Sequence, residues 1–236
     1  MSINTLFNSS VGKKFIMAAT GMAMFLFVVL HLLGNLQVFL GPEVINRYGA
    51  FLQGNLELIW PARIGLLVIV GLHIWSAVRL TAENRAARPQ PYAHQELVAA
   101  SYASRTMMMS GLIILAFIVY HLLHYTFQVT AINGTGRDFT TLQDINRQHD
   151  VFAMMVLGFR NPIVAGFYVL AMTLLFLHLS HGVSAMFQSL GLRNRTYTPV
   201  IARFAVAITW CLYVGYLSIP LAILLGFGSN YGGISK

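Results

Sequence analysis

Only 9% of the 236 residues are charged, 57% are hydrophobic, and the mean hydropathy is +0.67. Soluble domains carry about a quarter charged residues, so this much apolar surface excludes a water-soluble globule and calls for lipid as the solvent. The formal net charge of +8 does not point to nucleic acid, because the basic residues sit in short loops and form no basic face. The single cysteine, Cys211, excludes an intrachain disulfide and any Cys-x-x-Cys metal or haem-attachment site.

Along the chain, Lys13 and Lys14 precede an apolar run far longer than the core of a signal peptide. It reads as an uncleaved first span over about Phe15–Leu40. Gly41–Trp60 is a polar connector with room for a short interfacial helix. A second span follows at Pro61–Leu80, then the Arg-, Pro- and Ala-rich connector Thr81–Arg105. The third span is Met107–Thr130, and Ala131–Asn161 is the longest connector. The fourth span is Pro162–Gln188, the short basic connector is Gly191–Ala202, and the fifth span is Arg203–Phe227. Each run reaches about 20 residues, the length that crosses a bilayer. The expectation is an all-α membrane protein of one domain over residues 1–236, with five transmembrane helices, no repeat and no low-complexity tract. A cytoplasmic N-terminus puts Lys13, Lys14, Arg79, Arg85, Arg88, Arg105, Arg193, Arg195 and Arg203 inside. Arg47, Arg63, Arg137, Arg147, Arg160 and Lys236 then lie outside. Nine against six is the bias of the positive-inside rule.

Six of the eight histidines fall inside apolar runs: His31, His73, His121, His124, His178 and His181. A lone membrane histidine is as often a packing residue as a functional one, but here each of the first four spans carries at least one and the fifth carries none. Inward histidines on four helices are how a bundle builds a cofactor site. At 1.5 Å per residue, His31 lies about 24 Å from the cytoplasmic start of its span and His121 about 21 Å from that of its own. His73 lies about 9 Å from the cytoplasmic flank at Arg79, and His178 about 15 Å from the end at Gln188. His31 and His121 thus form an outer layer, and His73 and His178 an inner one. Two histidines per layer on different helices suit two bis-histidine haems b, whose six-coordinate iron carries electrons; zinc would want more ligands at one level. Gly34, Gly71 and Gly182 are small residues near these histidines that would leave room for a haem face. Depth leaves open the choices between His121 and His124 and between His178 and His181, since both pairs have the i,i+3 spacing.

Ser9-Ser10-Val11-Gly12-Lys13-Lys14, then Ala19-Thr20-Gly21, then His31-Leu32-Leu33-Gly34-Asn35-Leu36 closely resembles the start of the dihaem cytochrome b anchor subunit of succinate:quinone oxidoreductases. Gly166-Phe167-Tyr168 followed by His178-Leu179-Ser180-His181-Gly182 is similar to the fourth span of that family. The resemblance covers almost the whole chain. It implies one axial ligand on each of the first four spans: His31, His73, His121 (placed by its distance from Gly111) and His178 (placed by its distance from Gly166). The position matching His181 is not always histidine in that family. The resemblance further implies flavoprotein and iron–sulfur partner subunits on the cytoplasmic face of the inner membrane, and menaquinone as electron acceptor.

Under that reading, Lys13, Lys14, Arg79 and Arg203 at the span ends are candidates for haem propionates, beside their ordinary role as flank charges. His124 and His181 are candidates for a propionate or for proton transfer. Ser10 and Lys14 are candidates for a quinone site, and Glu57 for proton exchange at the outer face. Arg79, Arg85, Arg88, Arg105, Arg193 and Arg195 offer a landing surface for a partner. Two rivals stand: the cytochrome b subunit of a hydrogenase or formate dehydrogenase, and a proton-coupled transporter. The transporter would need polar or broken helices lining a path, whereas the spans hold almost no carboxylate and one deep proline, Pro220.

Overall fold

A computed structural model describes residues 3–87 and 106–231. Eight α-helices form within them: α1 (Ile3–Asn8), α2 (Ser10–Leu36), α3 (Pro42–Gly54), α4 (Leu56–Ala86), α5 (Met107–His121), α6 (Val151–Arg160), α7 (Pro162–Ser189) and α8 (Thr198–Leu224). Five segments are long and apolar enough to cross a membrane: α2 with the 3-10 turn after it, α4, α5 with its terminal turn, α7 and α8. Their outward faces carry Leu30, Leu33, Leu67, Val119 and Leu170, all exposed. Exposed aliphatic faces on helices whose backbone groups bond internally are what a hydrocarbon solvent requires. No strand forms among the described residues; one isolated bridge joins Gln143 and His149.

The helix ends have local causes. Ser9 caps α2, its side chain accepting from the Gly12 amide at 3.0 Å, so the first span starts five residues before the apolar run does. Asn161 caps α7 from the residue before Pro162, whose missing N–H costs nothing in a first turn. That helix ends at Gly191, φ +73°, where the Leu192 amide donates back to the Phe187 carbonyl; a left-handed residue after the last turn favours glycine. The α5 rod ends in one π-turn over Leu122–Thr126, which carries His124 and Tyr125. Such widened turns are rare and recur at functional positions.

The five long helices alternate in direction. One end of the bundle bears α1 and the N-terminus, and the opposite end bears α3, α6 and the tail after α8. The extensive helix contacts are α2 with α4, α2 with α7, α5 with α7, and α7 with α8. Walking around the bundle, the order is therefore α4, α2, α7, α5. Its diagonals are α2 to α5 and α4 to α7, and α8 packs on the outside of α7 and α2.

The longest connector, Ala131–Asn161, contains the most enclosed helix among the described residues. Eight of the ten residues of α6 are buried, Phe152 through Phe159. A helix apolar on every face belongs in an interior, and α6 is walled by α3, α7 and α8. Asp150 anchors it. Its Oδ1 accepts from the Ala153 amide (2.9 Å) and from Asn46 Nδ2 of α3 (3.1 Å), while Oδ2 accepts from the Tyr231 hydroxyl (2.9 Å). Asn46 Oδ1 in turn accepts from the Phe152 amide at 2.9 Å. One buried carboxylate thus ties α3, α6 and the C-terminal tail. Burial and this bond push the Tyr231 phenol up to about 12.

Candidate functional site

The histidines of α4 and α7 each meet the same pair of residues on a neighbouring helix. Thr20 Oγ1 of α2 lies 3.1 Å from His73 Nδ1, and Ser110 Oγ of α5 lies 3.1 Å from His178 Nδ1. The next residue is glycine in both cases. A Cβ on Gly21 would sit 3.5 Å from His73 Cε1, and one on Gly111 would sit 3.5 Å from His178 Cε1. Small residues let helices, or a helix and a ring, approach this closely. Ten residues beyond each glycine stands another histidine, His31 on α2 and His121 on α5. The pattern hydroxyl–Gly–x9–His therefore occurs twice, each time with a second helix returning a histidine to the hydroxyl. The helix pairs α2/α4 and α5/α7 thus share one local arrangement at this level.

This fixes two layers. Ten helical residues span about 15 Å, so in each helix pair one histidine lies about that far from the other along the bundle. The far pair comes together across one diagonal: the His31 and His121 rings are 5.7 Å apart between centroids and nearly perpendicular, at 88°. On the other diagonal, His73 stands at the level of Gly21 and His178 at the level of Gly111, each ten residues from the far pair. All four rings are half-buried. Their Nε2 atoms make no hydrogen bond with a described residue, and none is among the sealed polar atoms.

His124 differs from those four. It is fully buried, stacked on Tyr125 at 4.0 Å between centroids and 24° between planes. The Tyr168 hydroxyl lies 3.0 Å from His124 Nδ1 and 3.3 Å from His121 Nδ1, so the i,i+3 pair does face one way. A single phenol proton serves at most one of those nitrogens as acceptor. His124 Nε2 and the Tyr125 hydroxyl are the buried side-chain polar atoms left without a partner among the described residues. Both press on Gly158 of α6, where a Cβ would lie 2.7 Å from the Tyr125 oxygen and 3.1 Å from His124 Nε2. His181 is half-buried and lies near His178.

The remaining predicted residues fall at the ends. Lys13 is buried, donates to Glu83 Oε1 of α4 at 2.6 Å and to the Asn8 carbonyl at 2.9 Å, and so pins the N-terminal end of α2 to α4. Ser10, Lys14, Arg79, Arg85, Arg193, Arg195 and Arg203 are exposed at that end, and Glu57 is exposed at the other. Arg88 and Arg105 lie outside the described residues. Gly34 does not face a histidine. A Cβ there would lie 2.9 Å from the Tyr48 ring of α3, so its smallness serves helix packing. Gly71 and Gly182 have no atom within 4 Å of an added Cβ. Sequence reasoning missed Thr20, Ser110, Tyr168 and Asp150. The first two carry a legible signal, the shared spacing to His31 and His121.

No group of three or more His, Cys, Asp and Glu side chains able to hold a metal ion occurs among the described residues; the histidines meet in twos. Comparison with protein-family models, with curated proteins and with solved structures finds no match to this chain.

Proposed function

We propose that this chain is the membrane-anchor cytochrome b subunit of a succinate:quinone oxidoreductase. It holds two haems b, one between His31 and His121 and one between His73 and His178. It sits in the inner (cytoplasmic) membrane with its N-terminus inside and passes electrons from a docked iron–sulfur subunit, itself fed by a flavoprotein, to menaquinone. The observation that carries the reading is the His31/His121 pair, 5.7 Å apart across one diagonal, with His73 and His178 on the other two helices about 15 Å away along the bundle.

The donor set suits haem. Two imidazole nitrogens about 2.0–2.1 Å from one metal ion place their ring centroids about 6 Å apart, and His31 and His121 stand at 5.7 Å. Metal-bound histidines keep the other ring nitrogen in a hydrogen bond, and His73, His121 and His178 each have one at Nδ1. Full enclosure makes His124 the poorer choice beside His121. Haem b held by these histidines would supply reversible one-electron transfer.

The chain supplies the setting. Its aliphatic walls surround the rings, and the α6 plug closes the far end. The exposed arginines of the N-terminal end offer charge for a soluble partner to land on. With one cysteine the chain holds no iron–sulfur cluster ligated by four cysteines, so a bound haem pair needs an outside electron donor. The test is gentle solubilisation followed by spectroscopy. The protein is expected to copurify with a flavoprotein and an iron–sulfur protein, and succinate is expected to reduce both its haems and an added menaquinone analogue. Recovery as a lone haem-free chain, or with a hydrogenase in place of those subunits, overturns the reading and leaves the five-helix fold intact.

A further inference from the structure

We infer that Thr20 and Ser110 are positioning residues that hold His73 and His178 as Nδ1–H tautomers with the Nε2 lone pair free for metal. The inference rests on the two-haem reading and deepens it, since nothing in that reading requires these hydroxyls.

The argument begins with proton counting. A threonine hydroxyl has one proton. That of Thr20 is directed to the Ile16 carbonyl at 2.7 Å, with the Met17 carbonyl at 3.1 Å as the alternative. With the proton spent on the helix backbone, the oxygen faces His73 Nδ1 as an acceptor, and Nδ1 must carry the hydrogen. Ser110 Oγ stands 3.1 Å from both the Met107 carbonyl and His178 Nδ1, so there the shared placement with Thr20, not distance, assigns the proton to the carbonyl.

A neutral imidazole has one N–H, so a hydrogen on Nδ1 leaves Nε2 with its lone pair. In both rings Nε2 makes no hydrogen bond with a described residue. The ordinary role of such hydroxyls is to bond the carbonyl one turn back and do nothing more. Against that stands the recurrence: the same hydroxyl distance and the same glycine contact occur on two helix pairs from different parts of the chain. The fold thereby presents both histidines of this layer with the same nitrogen available. A Nδ1–H bond to an acceptor also raises the basicity of the ligand, which favours the oxidised metal.

The test uses the complex in membranes, with Thr20→Val, Ser110→Ala, the rescue variant Thr20→Ser, and wild type. Haem content is read by pyridine haemochrome, haem retention by transfer to excess apomyoglobin, and midpoints by redox titration. The expected result is loss of one of the two haems about 10–100-fold faster in Thr20→Val and Ser110→Ala, the usual cost of removing an outer-shell partner. The midpoint of that haem shifts upward, the second haem is unchanged, and Thr20→Ser behaves as wild type. Ser110→Ala removes one atom and favours helix, so it carries the test alone if Thr20→Val fails to accumulate. Two haems with wild-type retention and midpoints in Ser110→Ala overturn this inference and leave the two-haem reading standing. A haem-free wild type overturns both.

Discussion

The two ends of the bundle are held together differently. The end bearing α3 and α6 owns the main apolar cluster, which runs from Val38 and Ile45 through all of α6 to Ile219 and Ile223. Among the described residues, the N-terminal end buries Lys13, Ile16, Leu80, Val183 and Met186 outside that cluster. Its other buried residues are mostly small or hydroxylated, such as Gly12, Ala18, Thr20, Ser76 and Ser110. Its cross-helix ties among the described residues include the polar contacts Lys13 to Glu83, Thr20 to His73 and Ser110 to His178 and the ring contacts Phe7 to Trp75 and Phe187 to Phe204. One end is sealed by its own packing. The other is joined at points, with imidazoles among the points, so a group bound between those helices contributes a larger share of its cohesion.

The strongest way to break the sealed end is Asp150→Ala. The change removes the α6 cap and strands Asn46 and the Tyr231 hydroxyl inside. A lost cap costs about 1 kcal/mol and charge-assisted hydrogen bonds about 1.5–3 kcal/mol each. A loss of about 3 kcal/mol or more is expected, read as a lower unfolding midpoint in detergent. An unchanged midpoint would mean the tie is ornamental.

Glycine exchanges sharpen the contrast. Gly158→Ala puts a methyl 2.7 Å from the Tyr125 oxygen, and overpacking of this kind costs about 1–3 kcal/mol. Gly21→Ala meets His73 only at ordinary contact, 3.5 Å. It should be neutral, or stabilising by up to about 1 kcal/mol from helix propensity. Equal effects at the two sites would erase the distinction drawn between the ends.

The five spans were legible because each is a long apolar run; their ends shifted by several residues, outward at Ser10, Leu56, Ala86 and Thr198 and inward at Thr126 and Leu224. The α6 plug was not. Its apolar stretch is too short to span and follows a polar loop, so only tertiary enclosure reveals it. The closeness of His31 and His121 followed from depth along the helices. The twofold pattern did not, because few residues recur, the hydroxyl is Thr in one helix pair and Ser in the other, and the returning histidine comes after connectors of different length.

The smallest expected effect is a pH dependence confined to the sealed end. Burial holds His149 below its usual value, against opposing pulls from a backbone hydrogen bond at Leu142 and from Asp150. Its Nε2 accepts from Gln128 Nε2 at 2.9 Å, which needs the neutral ring. A lowered histidine pKa means the unfolded chain binds the proton more readily. The contribution of His149 is therefore complete above its unfolded pKa of about 6.5 and declines as pH falls below it. The unfolding midpoint should drop modestly between pH 7.5 and pH 5, and His149→Asn should flatten that slope. A variant with the wild-type slope would assign the titration elsewhere.

The central claim is that four histidines on two diagonals hold two haems. Haem per chain, by pyridine haemochrome, in the wild type and in His31→Ala, His73→Ala, His121→Ala and His178→Ala tests it most directly. The account predicts two haems in the wild type and one in each variant. The haem left in the His31 and His121 variants should have one spectrum, and that in the His73 and His178 variants the other. Two haems in any of the four variants, or none in the wild type, would contradict it.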